Sequence, residues 1–173
     1  LGIGVDIRRE YWEEIVRAWF RLLSFVAATA VSGLGLFWLY FHPPVRLVRS
    51  VVYGQRHGNA LTLDIAQPRH TNGAGLLLMM SGGWKSQPGS FRPWLVAPLL
   101  RRGYTVFAVY HLSQPEATVM EIVEDVAHAA RFVQEHAREY GVDPQRLGVI
   151  GASSGGHLAL MLACGAGLTN TAP

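Results

Sequence analysis

From residue 22 to residue 41 the sequence carries no charge, with Trp19 at one end of the run and Trp38 and Tyr40 at the other. Twenty helical residues span roughly 30 Å, about one hydrocarbon core, and amphipathic rings favour the headgroup level. The pattern predicts an uncleaved, single-pass N-terminal membrane anchor over 22–41. Ahead of it, Trp12, Ile15, Val16, Trp19 and Phe20 alternate with charges and predict an amphipathic helix over 8–21. A cleaved signal peptide, helped by Ala28-Thr29-Ala30, and a buried soluble helix are the competing readings. The apolar run outlasts the usual h-region of about 7–15 residues. Pro43-Pro44 stops the helix, so residues 1–45 read as an anchor segment and 46–173 as a separate domain.

Past the prolines the periodicity changes. Residues 48–53 and 61–65 read as strands around a turn-rich 54–59, with Leu61, Leu63 and Ile65 alternating with Thr62 and Asp64. Residues 67–73 read as loop. The continuous apolar runs 75–80, 105–110 and 147–150 predict strands buried on both faces. Residues 91–102 predict a short helix ended by Gly103. Over 119–140, Ile122, Val126, Ala129, Ala130, Val133 and Ala137 form one apolar stripe. Glu121, Glu124 and Asp125 form a charge cluster at the start of that helix, where the helix dipole favours them. Buried strands alternating with helices predict an α/β fold with a mostly parallel sheet.

Composition narrows the classes. The net charge of +3 comes almost wholly from scattered arginines, with Lys85 the one lysine, so no nucleic-acid surface is expected. Cys164, the one cysteine, excludes an intrachain disulfide and sits on an apolar helix face, where a buried thiol is expected. No metal-ligand spacing, P-loop or dinucleotide fingerprint appears, and no cofactor is expected. Arginines flank the apolar run on both sides and leave its orientation open. Their excess ahead of it tilts the N-terminus towards the cytoplasm and the following domain towards a periplasmic or extracellular side.

The chemistry gathers at residues 147–164, LGVIGASSGGHLALMLAC. A short apolar run meets Gly151-Ala152-Ser153-Ser154-Gly155, and a second apolar run follows with helical spacing. A serine on a sharp strand-to-helix turn needs small neighbours, which Gly151 and Gly155 supply. The new helix directs unpaired N–H groups at negative charge forming beside Ser153. Earlier, Ser81-Gly82-Gly83-Trp84 directly follows a buried strand, where adjacent glycines let backbone amides turn towards a substrate.

The SGGW loop followed by helix, strand, long helix and DPQRLGVIGASSGGHLALML resembles the esterase/lipase branch of the α/β-hydrolase superfamily over residues 48–164. The resemblance implies an α/β-hydrolase-type sheet, Ser153 as nucleophile, and the amides of Ser154, Gly83 and Trp84 as oxyanion donors, with Gly82 shaping the loop. It implies a small-molecule carboxylic ester as substrate, attacked through an acyl-serine intermediate. Many relatives carry His where this sequence has Ser81, which puts the rigidity of the oxyanion loop in question.

In that family the acid and then the histidine follow the serine. Here no Asp or Glu follows Ser153, and the single later histidine, His157, lies four residues along the same helix, where packing is its expected role. The sequence therefore reads as the N-terminal part of such a domain, truncated after the nucleophile helix and inactive by itself. His111 ends a buried strand on the carboxyl side and is a candidate for the substrate cleft. His128 and His136 are expected at the solvent margin of the long helix. Two rival functions remain: a serine peptidase of the prolyl-oligopeptidase type, disfavoured by Ser154 where those enzymes have an aromatic residue, and a non-catalytic membrane protein that retains the fold.

Overall fold

His57 and Gly58 both take positive φ, 49° and 78°, the combination a two-residue type I′ hairpin requires. They join strands β1 (Val45–Arg56) and β2 (Asn59–Pro68), which pair antiparallel. Both strands are longer than the alternation predicts and consume much of the expected turn and loop on either side. The computed structural model describes residues 3–165. Further along lie β3 (Gly75–Met79), a 3₁₀ turn (Pro93–Val96), α2 (Ala97–Arg101) and β4 (Thr105–Val109). Helix α3 (Val119–His136), its 3₁₀ extension (Ala137–Tyr140), β5 (Leu147–Gly151) and α4 (Ser154–Ala163) complete the order.

The five strands form one sheet in the order β1-β2-β4-β3-β5. It is mixed rather than mostly parallel: β4 pairs antiparallel with β2 and parallel with β3, and β5 pairs parallel with β3. Apolar runs report burial and not strand direction, so the antiparallel lead-in was outside their reach. β4 is buried on both faces as expected, whereas β3 alternates buried and half-buried positions and β5, at the sheet edge of the described residues, is half-buried from Leu147 to Ile150 and exposed at Gly151.

Right-handed crossovers that leave β3 in one direction and return past it to β5 place their helices on opposite faces. Leu63, Ile65, Leu77, Met79, Phe107 and Val109 pack beneath α3 and α4. Val106, Ala108, Tyr110 and Ala66 pack on the other face against Phe91, Val96 and Leu100. The segment expected as one helix over 91–102 is thus a 3₁₀ turn and a five-residue α-helix.

A buried polar network crosses each face. On the α2 side, Asp64 is fully buried; it accepts the Tyr110 hydroxyl at 2.9 Å, the Ser50 amide at 2.9 Å and Arg49 at 3.1 Å. The same Tyr110 oxygen accepts the Phe91 amide at 3.0 Å, and burial pushes its pKa up to about 12, so it stays protonated. On the α3 side, Arg56 at the end of β1 donates to Asp125 at 2.6 Å, Glu124 at 3.0 Å and Glu121 at 3.4 Å. The charge cluster expected at the helix start is therefore also the anchorage of α3 to the sheet, and Asp125 is buried within it. Thr118 caps the helix in a reciprocal box with Glu121, and the Thr118 N–H and hydroxyl hold the Glu121 carboxyl below its ordinary pKa.

The chain divides into two compact units, Leu1–Phe41 and His42–Pro173. The first is a single continuous helix, α1 (Ile3–Phe41), with no break between its charged and apolar parts. Glu13 pairs with Arg9 and Arg17 one turn away on either side, a spacing that supports a solvated helix modestly. Its 39 residues extend about 58 Å, well beyond a hydrocarbon core. Phe25, Val31, Leu34 and Phe37 are exposed. By length and composition the helix can cross a membrane and is a candidate anchor.

Removing the cation from the buried cluster strands Asp125. Arg56→Ala is expected to cost about 3 kcal/mol in denaturant unfolding, the lower end for breaking a buried pair because Arg56 keeps some solvent contact. Burial already raises the Asp125 pKa, with Arg56 opposing. A carboxyl raised in the native state binds its proton more tightly there, so its contribution favours folding below the unfolded pKa and is lost as pH rises through the folded value. The defect of Arg56→Ala should therefore shrink as pH falls through that window, and Arg56→Ala/Asp125→Asn should recover part of the loss at neutral pH.

Candidate active site

β5 and β3 run parallel, and their last paired residues are Gly151 and Met79. Both chains leave the sheet side by side, one into residues 152–154 and the other into Ser81-Gly82-Gly83-Trp84. The crossovers on either side of β3 diverge here, which makes this the point where ligand clefts form in such sheets. Ser153 is the residue before α4 and takes φ 53°, ψ −126°, a strained conformation for a residue with a side chain that costs about 1–3 kcal/mol. Gly155 explains how the turn closes: a Cβ there would stand 2.5 Å from the Met79 carbonyl oxygen. A Cβ on Gly151 would likewise collide with the Gly155 carbonyl. Helix α4 thus starts directly over the end of β3, and Ser153 is exposed at the top.

The facing loop is a tight turn. Gly82 and Lys85 exchange backbone hydrogen bonds at 3.0 and 3.1 Å, and Gly83 and Trp84 between them take φ 56° and 61°. That is a type I′ turn. The Gly82 amide is spent on Lys85. The Trp84 amide donates to Ser154 Oγ at 3.2 Å, and the Trp84 carbonyl accepts the Gln114 amide at 3.1 Å. Ser154 Oγ also lies 3.1 Å from Ser81 Oγ. Among the described residues, the Gly83 amide and the first-turn amide of Ser154 have no acceptor. Two unpartnered donors therefore stand on two segments that touch through the Trp84–Ser154 bond.

The structure brings Ser153, Ser154, Gly83 and Trp84 together at one end of the sheet and gives Gly82 and Trp84 amides other partners. The Ser153 hydroxyl makes no hydrogen bond to a described residue. His157, on α4, packs edge to face on the Trp84 ring at 5.2 Å. His128 is exposed and His136 half-buried. Cys164, expected to be buried, is exposed: the buried apolar side chains of α4 are Leu158, Ala159 and Leu162, and the cysteine falls beyond them.

Beside the turn, an open cleft of about 700 Å³ is bounded by Leu78, Met80, Leu95 and Val96, with Ala152 of the elbow and Ser86 at its edges. His111 lies elsewhere, on a neighbouring cavity of about 250 Å³ that shares Ser86 and Ser113 with the first. It is buried, and its Nδ1–H donates to the Leu112 carbonyl at 2.8 Å, leaving Nε2 as an acceptor without a partner. Burial lowers its pKa, so the imidazole is neutral at pH 7. Ser113, expected beside His111 at the cleft, does line it, and with Ser86, which had no sequence signal, it stitches the loop after β3 to the β4–α3 connection: the Ser86 amide donates to Ser113 Oγ at 3.0 Å, and Ser113 Oγ donates to the Ser86 carbonyl at 3.2 Å. Ordinary serines in loops carry no local signal of such pairing.

The family model described as BD-FAE matches residues 63–171. A probable isoprenylcysteine alpha-carbonyl methylesterase from Oryza sativa subsp. japonica is 30% identical over 120 residues, covering 69% of this chain and 28% of that protein. A probable carboxylic ester hydrolase from Mycobacterium tuberculosis is 30% identical over 135 residues, covering 69% of this chain and 31% of that protein. Among solved structures, a thermophilic esterase from Thermogutta terrifontis superposes with a TM-score of 0.58 at 28% identity, over 69% of this chain and 45% of that one. The chain thus spans less than a third of the length of the two relatives.

The tight crossing of α4 over β3 makes a direct prediction. Gly155→Ala and Gly151→Ala should each destabilise the protein by about 1–3 kcal/mol or more, because backbone and not a flexible side chain must move. Gly82→Ala, with nothing within 4 Å of the added carbon, should change the melting temperature little. Thermal unfolding of the three variants checks the contrast.

Proposed function

Because the chain belongs to the BD-FAE family, an α/β-hydrolase esterase family, we propose that it hydrolyses carboxylic esters through an acyl-Ser153 intermediate. The observation that carries the proposal is the strained, exposed Ser153 turn beside the unpartnered amides of Ser154 and Gly83. Ser153 Oγ attacks the ester carbonyl carbon, and the carbonyl electrons move onto oxygen. The Ser154 and Gly83 amides receive that oxyanion, fixed dipoles that need no reorganisation as charge develops. Collapse of the tetrahedral species breaks the C–O bond and releases the alcohol, and water then hydrolyses the acyl-serine by the same route.

Proton transfer to and from Ser153 takes a base oriented by a carboxylate. No described residue binds the Ser153 hydroxyl, and oxyanion donors without such a base give only a weak acceleration. The apolar wall of Leu78, Met80, Leu95 and Val96 suits an ester with an apolar acyl or alcohol group. The relative from rice is named for a methylesterase of isoprenylcysteine, an ester of that apolar kind. We further propose that residues 22–41 anchor the protein in a membrane, which would hold such substrates close by.

Two experiments follow. In the intact natural protein, Ser153→Ala should reduce turnover of a short acyl ester by several orders of magnitude, while stability changes by no more than about 0.5 kcal/mol, as for an exposed site. Retained turnover in a folded variant would move the chemistry away from Ser153. For the anchor, the intact protein should remain with membranes through a carbonate wash, and removal of residues 1–41 should release it. Recovery of the intact protein in the soluble fraction would refute the membrane assignment.

A further inference from the structure

Two serine hydroxyls that take no part in acyl transfer meet between the elbow and the oxyanion turn. Ser154 is buried, and its Oγ accepts the Trp84 amide at 3.2 Å while standing 3.1 Å from Ser81 Oγ. A hydroxyl has one proton and two lone pairs, so Ser154 Oγ can take the Trp84 proton and still bond Ser81 in either direction. Ser81 sits at the exit of β3, and its carbonyl oxygen lies within van der Waals reach of Gly155. The pair therefore joins the last residue of one strand exit to the first residue of the helix that crosses it.

We propose that the Ser154 side chain is a positioning residue: its hydroxyl clasps the 82–85 turn against the elbow and sets the distance between the Gly83 and Ser154 amides that receive the oxyanion. This rests on the reading of Ser153 as nucleophile. The need for a clasp comes from the turn itself. The Gly82–Lys85 bonds close the turn on itself, and the side of Gly83 where a Cβ would stand is open space, so the turn's position relative to Ser154 rests on other bonds. The peptide planes about Trp84 are fixed by two bonds, its carbonyl to Gln114 and its amide to Ser154 Oγ. Loss of the second removes the hydrogen bond between the turn and Ser154, and rotation about Gly83, which costs little at a glycine, can then carry the Gly82–Gly83 peptide and its Gly83 amide away from the Ser154 amide. The same hydroxyl pair answers the question raised by Ser81 in place of a loop-fixing histidine: the bond is made by two serines, one of them on the elbow.

An oxyanion bond strengthens in the transition state, so loosening the clasp should lower kcat and leave KM nearly unchanged. The test uses the intact natural protein with 4-nitrophenyl butyrate as substrate and butylboronic acid as a tetrahedral-adduct probe. Ser154→Ala should lower kcat about 10–100-fold, less than outright loss of an oxyanion donor, with KM within twofold. Its boronate affinity should fall by a similar factor. Ser154→Thr, which keeps the hydroxyl, should recover most of the loss. Ser81→Ala should cause a smaller loss, and the double variant should be no worse than Ser154→Ala, as for residues acting through one bond. If Ser154→Ala does not fold, Ser81→Ala at unchanged melting temperature must still lower kcat and boronate affinity together. A folded Ser154→Ala with kcat within twofold, a change confined to KM, or failure of threonine to rescue would overturn the clasp. Persistent activity in Ser153→Ala would instead overturn the nucleophile reading on which it stands, and the two results are distinguishable because the second does not depend on residue 154.

Discussion

The first turn of α4 can cross the end of β3 only because Gly155 has no side chain: the space a Cβ would need is occupied by the Met79 carbonyl. Much of the site follows from that one contact. It brings Ser154 beside Ser81 and Trp84, it fixes where the first unpaired amide of the helix points, and it forces Ser153 into positive φ. A strained serine persists only where its surroundings over-determine it, and here parallel pairing of β5 with β3 on one side and helix α4 on the other do so.

The sheet transmits this constraint through two buried polar networks, one on each face. Asp64 gathers Tyr110, Ser50 and Arg49 on the α2 side, and Tyr110 passes the bond on to Phe91, where the loop after the Gly82–Lys85 turn re-enters the core. Asp125 and Arg56 join α3 to the end of β1 on the other side. Buried polar groups are costly unless paired, so the docking that brings Arg49 and Tyr110 to Asp64, and Arg56 to one oxygen of Asp125, is favoured over others, although Asp125 Oδ2 has no hydrogen-bond partner. The β1–β2 hairpin, remote from Ser153 in sequence, thereby helps to fix both loops beside it.

Much of this was legible in the sequence, for physical reasons that differ by element. The glycine spacing around Ser153 is short-range, so GASSG on a strand-to-helix junction identifies the elbow directly. The α3 stripe repeats five times and survives any local noise. Strand direction left no mark, and the antiparallel β1 was underestimated because register shifts after Val48 and Val52 interrupt its alternation. Asp125 read only as part of a helix-start charge cluster because its partner, Arg56, is 69 residues away. The Ser81–Ser154 pair, separated by 73 residues, was hidden for the same reason. Short-range steric demands leave a pattern in sequence, whereas long-range pairing of polar side chains does not.

That difference bears on how the chemistry is distributed. A nucleophile at positive φ and amides aimed at an oxyanion are properties of the backbone, and only a continuous strand, turn and helix can fix them. In the proposed reading the described residues supply this part: the strained Ser153 turn and the Ser154 and Gly83 amides, with Lys85 closing the facing turn. Fixed amide dipoles stabilise a developing charge without reorganising as it forms. The base has no such backbone requirement, since a side chain need only reach the hydroxyl from any element of the fold. In the proposed reading, the serine turn and its facing loop must therefore be built on one sheet end, whereas proton transfer sets no such demand on the backbone that carries its residues.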